Sequence, residues 1–193
     1  ARRAAAQRWC ALTTPVLKSA FTEQAFSGAS ACLQVFGGHG YVREWGIEQI
    51  VRDSRVSMIY EGTNEIQAID LLIRKVLPDG GAALNSLLDE LGDGQADSRQ
   101  RISALRDMTA AVVLAAPTDE TLAHEVAGDY LRATALVLLD WAWQQIDNAA
   151  APQDERWRRP ALALRQRVMP EFAMRQHMVL ARCAQSQPHT VTP

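Results

Sequence analysis

Apolar residues recur at intervals of three and four along almost the whole chain, and no stretch sustains an apolar–polar alternation. Helices are therefore expected and strands are not. The pattern predicts two helices over residues 4–18 and 22–36, rich in Ala, Leu and Gln, with Pro15 placed to kink the first. Three glycines within residues 37–40 must interrupt this pattern, because each costs a helix backbone entropy. A short helix fits residues 46–54. After Glu61 and Gly62, Thr63 is placed to cap a helix running to Leu77, with Ile66, Ile69 or Asp70, and Ile73 at helical spacing. Glu65 falls in its first turn, where the helix dipole favours a carboxylate.

Pro78-Asp79-Gly80-Gly81 predicts a turn and the best internal boundary. A short helix and a loop over residues 92–97 follow. Ile102, Leu105, Met108 and Val112 mark one face of the next helix. Pro117 and Thr118 open a longer one, with Leu122, Val126, Tyr130, Val137 and Trp141 inward. Pro160 and Pro170 each suit the first turn of one of two last helices, ahead of a polar tail from Gln185. The expected fold is all-α in two modules, residues 1–77 and 78–193.

Composition narrows the class of function. With 48% apolar and 22% charged residues, the chain can bury a core and is not of the disordered type. A net charge of −2 gives no basic footprint for nucleic acid. The apolar run over residues 133–143 is broken by Asp140 and is too short to cross a bilayer. Cys10, Cys32 and Cys183 are scattered without metal-ligand spacing, so free thiols in a reducing, cytoplasmic compartment are expected. His124 and His177 have no second ligand at metal spacing, and no metal is expected. Trp45, Trp141, Trp143 and Trp157 are read as packing residues. The first residues, Ala1-Arg2-Arg3-Ala4, read like the middle of a helix, so a fragment of a longer chain is expected.

Candidate chemistry concentrates in residues 34–67. Glycines at 37–40 and at 62 let a ligand approach the backbone, and their N–H groups suit an anion such as a diphosphate. Thr63 at a helix start adds a hydroxyl and further donors. Glu61 lies among Met58, Ile59 and Tyr60, and a carboxylate held in apolar surroundings is suited to act as a general base. Read from spacing alone, the chain is a helical domain with a candidate anion-binding turn.

The combination is more specific than its parts. Gln34-Val35-Phe36-Gly37-Gly38-His39-Gly40-Tyr41, then Arg52-Asp53, then Ile59-Tyr60-Glu61-Gly62-Thr63-Asn64-Glu65-Ile66-Gln67 resembles the C-terminal signature of acyl-CoA dehydrogenases. The resemblance covers residues 1–77, the second half of that family's C-terminal four-helix bundle. It implies that Glu61 removes the α-proton of an acyl-CoA thioester while hydride passes to FAD, with Gly62 beside the substrate and the Glu61 backbone N–H donating to the thioester carbonyl. It implies FAD contacts from Gln34, Gly37 and Gly38 across a homodimer interface, and from Thr63, Asn64 and Glu65 within the subunit. It further implies an electron-transferring flavoprotein as partner. Many family members carry Arg directly after the Ile-Gln pair, where this chain has Ala68. Arg52 and Asp53 are expected to form a local ion pair, and His39 is expected to be a loop residue. Residues 78–193 resemble the extra helical module of a longer subgroup that includes 3-methylmercaptopropionyl-CoA dehydrogenases. The contrasting reading is a non-catalytic helical assembly module or a DNA-associated protective relative of the same fold. Retention of Glu61 and the near-neutral charge disfavour it.

Overall fold

The computed structural model describes residues 2–92, 94–151 and 154–186. Eight α-helices, joined by turns and by short 3-10 and π-helical stretches, make up most of these residues, and no strand occurs among them. The first, α1 (Arg2–Phe36), is one 35-residue helix and not the two expected. Pro15 removes one donor without ending it. The hydroxyls of Thr13 and Thr14 bond back to the carbonyls of Trp9 (2.9 Å) and Cys10 (2.7 Å), and nothing in Ser19-Ala20-Phe21 stops a helix.

The chain leaves α1 through a 3-10 turn, Gly37–Tyr41, entered at Gly37 with φ +61°. Gly40 is buried there, and a Cβ on it would lie 2.7 Å from the Leu33 carbonyl oxygen and 2.8 Å from Phe36 Cβ. The glycine is thus required by packing. Helix α2 (Ile47–Val56) then lies against α1, with the Arg55 guanidinium 5.6 Å from the centre of the Phe26 ring. Helix α3 (Asn64–Ile69) is capped by Thr63, whose hydroxyl accepts from the Ile66 N–H at 3.4 Å. It runs on through a π-helical stretch, Asp70–Val76, to the 3-10 turn Leu77–Asp79. The Asp79 carboxylate accepts from the N–H groups of Gly81 (3.0 Å) and Ala83 (2.9 Å), which starts α4 (Ala82–Glu90).

Helices α5 (Ala96–Ala115), α6 (Leu122–Ala149), α7 (Glu155–Ala163) and α8 (Glu171–Gln185) complete the fold. Two expected helix starts move. Helix α6 begins at Leu122 and not at Pro117 or Thr118, because Asp119 accepts from the N–H groups of Thr121 (3.0 Å) and Leu122 (3.3 Å). Pro160 lies inside α7, whose start is set by Asp154 accepting from the Arg156 N–H at 3.1 Å. Pro170 does sit at the start of α8. Asp93 of the expected 92–97 loop and residues 187–193 of the expected tail lie outside the described residues.

One buried cluster runs from Leu12 and Val16 of α1 through Leu71, Leu72 and Val76 to α4, α5, α6 and α8. Helix α6 is its axis: residues 133–138 are buried all round, and it packs on α1, α3, α5 and α8. Ala68 is 2% exposed where α3 meets α6, so the side chain that departs from the family pattern is small where a helix covers it. Arg132 of α6 forms a two-pronged pair with Glu171 of α8 (3.0 and 2.7 Å), and Arg175 of α8 reaches Asp129 of α6 at 2.6 Å.

Candidate functional site

Among the described residues, Glu61 is the only non-glycine with positive φ (+54°), and Gly62 follows at +85°. A left-handed backbone costs an ordinary residue roughly 1–2 kcal/mol, so surrounding contacts must hold it. Two donors do so. Gln67 Nε2 donates to the Glu61 carbonyl at 3.2 Å, and Lys18 Nζ donates to the Gly62 carbonyl at 2.7 Å. Lys18 also donates to Asn64 Oδ1 at 3.2 Å, and the Thr22 hydroxyl donates to the same oxygen at 3.1 Å. Asn64 Nδ2 donates in turn to the Ser19 carbonyl at 3.4 Å. The side chain of Asn64 is therefore committed to α1 and anchors the turn.

Glu61 itself is exposed, and Ile59 and Tyr60 beside it are half exposed, at 52% and 51%. The apolar enclosure expected around Glu61 is not supplied by this chain. The backbone N–H groups of Glu61, Gly62 and Thr63 find no acceptor among the described residues. The turn thus presents unpaired donors next to an exposed carboxylate. The Thr63 hydroxyl, with the Glu65 N–H and more weakly the charges of Arg55 and Lys18, holds the Glu65 carboxyl below the ordinary glutamate range.

Gln34, Gly37 and Gly38 lie elsewhere. Thr22 meets Asn64 midway along α1, and at 1.5 Å per residue Gln34 is roughly 18 Å further along the helix. The structure therefore keeps Glu61, Gly62, Thr63, Asn64 and Glu65 together and does not bring Gln34, Gly37 and Gly38 to them within this chain. All three are exposed. Gly38 has no positive φ, and an added Cβ would meet nothing within 4 Å, so nothing inside the chain demands glycine there. The unpaired N–H groups of the Glu61–Thr63 turn and, separately, exposed Gln34 with the open glycine surface beyond it each offer donors suited to a dinucleotide's phosphates and polar ring edges.

Other expectations change. Arg52 and Asp53 do not pair: Asp53 accepts from Gln49 Nε2 at 2.7 Å, as residues four apart on a helix share a face and adjacent ones do not. His39 packs edge-on against Trp45 at 5.4 Å, and Trp143 against Trp157 at 6.5 Å. Sequence reading missed Lys18, Ser19, Thr22 and Gln67. Its one available signal was that Lys18 is the only basic residue between Arg8 and Phe36. Among the described residues no group of three or more His, Cys, Asp or Glu is placed to hold a metal ion, and no helix is long and apolar enough to cross a membrane.

This turn, with its glycine-led companion at the end of α1, lies inside a segment that matches a known domain. Residues 1–76 match the acyl-CoA dehydrogenase C-terminal domain. They belong to the acyl-CoA dehydrogenase family. The chain is 40% identical over 128 residues to the 3-methylmercaptopropionyl-CoA dehydrogenase of Ruegeria pomeroyi, covering 63% of this chain and 21% of that protein. It is 29% identical over 153 residues to the broad-specificity linear acyl-CoA dehydrogenase FadE5 of Mycobacterium tuberculosis, covering 69% of this chain and 25% of that protein. An acyl-CoA dehydrogenase of Bacillus subtilis is 38% identical over 71 residues, which is 37% of this chain and 18% of that protein. The first two matches are longer than the 76-residue domain segment, so their likeness continues into the helices that follow it. The chain spans about a fifth to a quarter of the length of these two acyl-CoA dehydrogenases.

Proposed function

We propose that the 193 residues are part of an FAD-dependent acyl-CoA dehydrogenase that converts an acyl-CoA thioester to its trans-2-enoyl-CoA. One observation carries the reading: the single left-handed non-glycine residue among those described is a carboxylate, Glu61, at the position that resembles the family's base. Strained backbone of this kind persists where surrounding contacts over-determine it, and it clusters at functional sites.

In this reading Glu61 takes the α-proton. Its own N–H, which has no acceptor among the described residues, donates to the thioester carbonyl, where negative charge develops. Gly62 lets the substrate approach the backbone. FAD, when bound, supplies the acceptor for the β-hydride. Thr63 and Glu65 hold it at the start of α3, while the Asn64 side chain fixes the turn from behind. Gln34, Gly37 and Gly38 reach the FAD of a second subunit, so a homodimer completes the site.

Val35, Tyr41 and Phe21, at 86%, 79% and 67% exposure, leave apolar surface open on the family segment. That surface supports burial against other parts of a longer protein and a second subunit. In this reading the chain beyond residue 77 is an additional helical module, of which α6 packs on α1 and α3. The reading includes a cytoplasmic location and electron transfer to an electron-transferring flavoprotein.

The test is Glu61→Gln in the full-length parent. Flavin bleaching by acyl-CoA should be abolished with FAD still bound. Bleaching at near wild-type rate would remove Glu61 from the role of base.

A further inference from the structure

Two successive carbonyls, those of Glu61 and Gly62, are each held by a side chain from a different helix. Gln67 of α3 donates to the first at 3.2 Å and Lys18 of α1 donates to the second at 2.7 Å. No cis peptide bond occurs among the described residues, and in a planar trans peptide the N–H points opposite to the C=O. Each held carbonyl therefore turns the following N–H away from its clamp, that of Gly62 away from Gln67 and that of Thr63 away from Lys18 of α1. Holding both carbonyls also fixes ψ of Glu61 and both dihedrals of Gly62, which together set where the Glu61 side chain leaves the backbone.

Neither donor is a bystander. Lys18 is partly buried, spans 44 positions of sequence to reach the turn, and uses a second donor on Asn64 Oδ1 at 3.2 Å. Gln67 lies close beneath Gly62, where a Cβ would meet its Nε2 at 3.1 Å. Without these donors, a non-glycine residue at φ +54° has little reason to stay left-handed.

We propose that Lys18, with Gln67, is a positioning residue for Glu61, aiming the carboxylate by clamping the carbonyls of the Glu61–Gly62 turn. The proposal rests on the reading of Glu61 as base. Lys18 touches neither substrate nor cofactor in this scheme and acts through the backbone. A displacement of about 1 Å at a reacting group costs on the order of a hundredfold in rate.

The experiment uses the full-length parent with Lys18→Met, Lys18→Arg and Gln67→Met, and Glu61→Gln as reference. Rates are taken per bound flavin. Lys18→Met should lower kcat by roughly 10- to 100-fold with KM within about twofold, the signature of lost transition-state alignment and not of lost binding. Lys18→Arg, which keeps a charged donor, should recover at least a third of that loss on a logarithmic scale. Two readouts do not depend on turnover. Exchange of the substrate's α-hydrogen with D2O should slow in parallel with kcat, and amide hydrogen exchange at Ile66 and Gln67, whose N–H groups donate to Thr63, should quicken in the flavin-free protein. Wild-type kcat and unchanged amide exchange in Lys18→Met overturn the proposal. Should that variant fail to fold, the same outcome in Gln67→Met overturns it equally. If Glu61→Gln bleaches normally, the base assignment fails. If Glu61→Gln is inactive and Lys18→Met is normal, only the clamp fails.

Discussion

Asp140→Ala should destabilise the chain by about 3 kcal/mol. Asp140 lies on α6 at 4% exposure and accepts from the Ser98 hydroxyl, from Gln144 Nε2 at 3.3 Å, and from Nε and Nη2 of Arg101 at 3.2 and 2.9 Å. Gln144 extends the network, donating to Ser98 and accepting from the Gln95 N–H at 3.2 Å. A single carboxylate thus ties the start of α5 to α6. Deleting one partner of a buried pair typically costs about 3–5 kcal/mol, because the remaining charge is left uncompensated. The Arg101 side chain is 19% exposed and can recruit water, which places the value at the lower end. Asp140→Asn keeps the shape and one acceptor, and should cost about 1.5–2 kcal/mol. The pair Arg101→Met with Asp140→Leu should regain most of the loss, since it removes both charges. Urea denaturation of the chain followed by circular dichroism, at constant m, measures all three. A loss under about 1 kcal/mol for Asp140→Ala, or equal losses for Ala and Asn, would refute charge pairing as the reason this junction holds.

Three further expectations use the same assay or the parent enzyme. Arg132 beside Glu171, and Arg182 beside Asp119 and Glu125, hold these carboxyls below their ordinary range. Depressed carboxyl values contribute stability that is present above the unfolded value, near 4, and is lost as pH falls through the folded values. The urea midpoint should hold from pH 7 to about 5 and decline below about pH 4. Arg182→Gln should flatten that decline, and an unchanged profile would count against the Arg182 pairs. Gly40→Ala should cost about 1–3 kcal/mol, because the new Cβ meets a main-chain oxygen at 2.7 Å. Gly38→Ala should leave the chain's stability unchanged and, on the proposed function, weaken flavin retention or dimerisation in the full-length protein. Equal destabilisation by the two would contradict the packing argument.

Much of the helix map was legible because its causes are local. Gly37–Tyr41 breaks where glycines concentrate, Thr63 caps α3, and Leu105, Met108 and Val112 are fully buried on one face of α5. The errors also have local causes. Pro15 and Pro160 are tolerated inside helices that neighbouring hydrogen bonds and packing sustain, and Asp119, not Pro117 or Thr118, sets the start of α6. Glu61 is proposed as the base through its fixed relation to Gln34-Val35-Phe36-Gly37-Gly38, whose residues sit at the far end of α1 and make no site with it in this chain.

The sequence by itself determined the all-α character, the break at residues 37–40, the start of α3 and the choice of Glu61, since periodicity, caps and a multi-part motif are written in neighbouring residues. Only the tertiary structure decided that Glu61 stands on a left-handed backbone. It alone revealed that Lys18 and Gln67 hold that turn, that Asn64 is spent on α1, and that Ala68 lies beneath α6. These depend on contacts across as many as 46 positions, and no local preference encodes which distant donor will meet a given carbonyl.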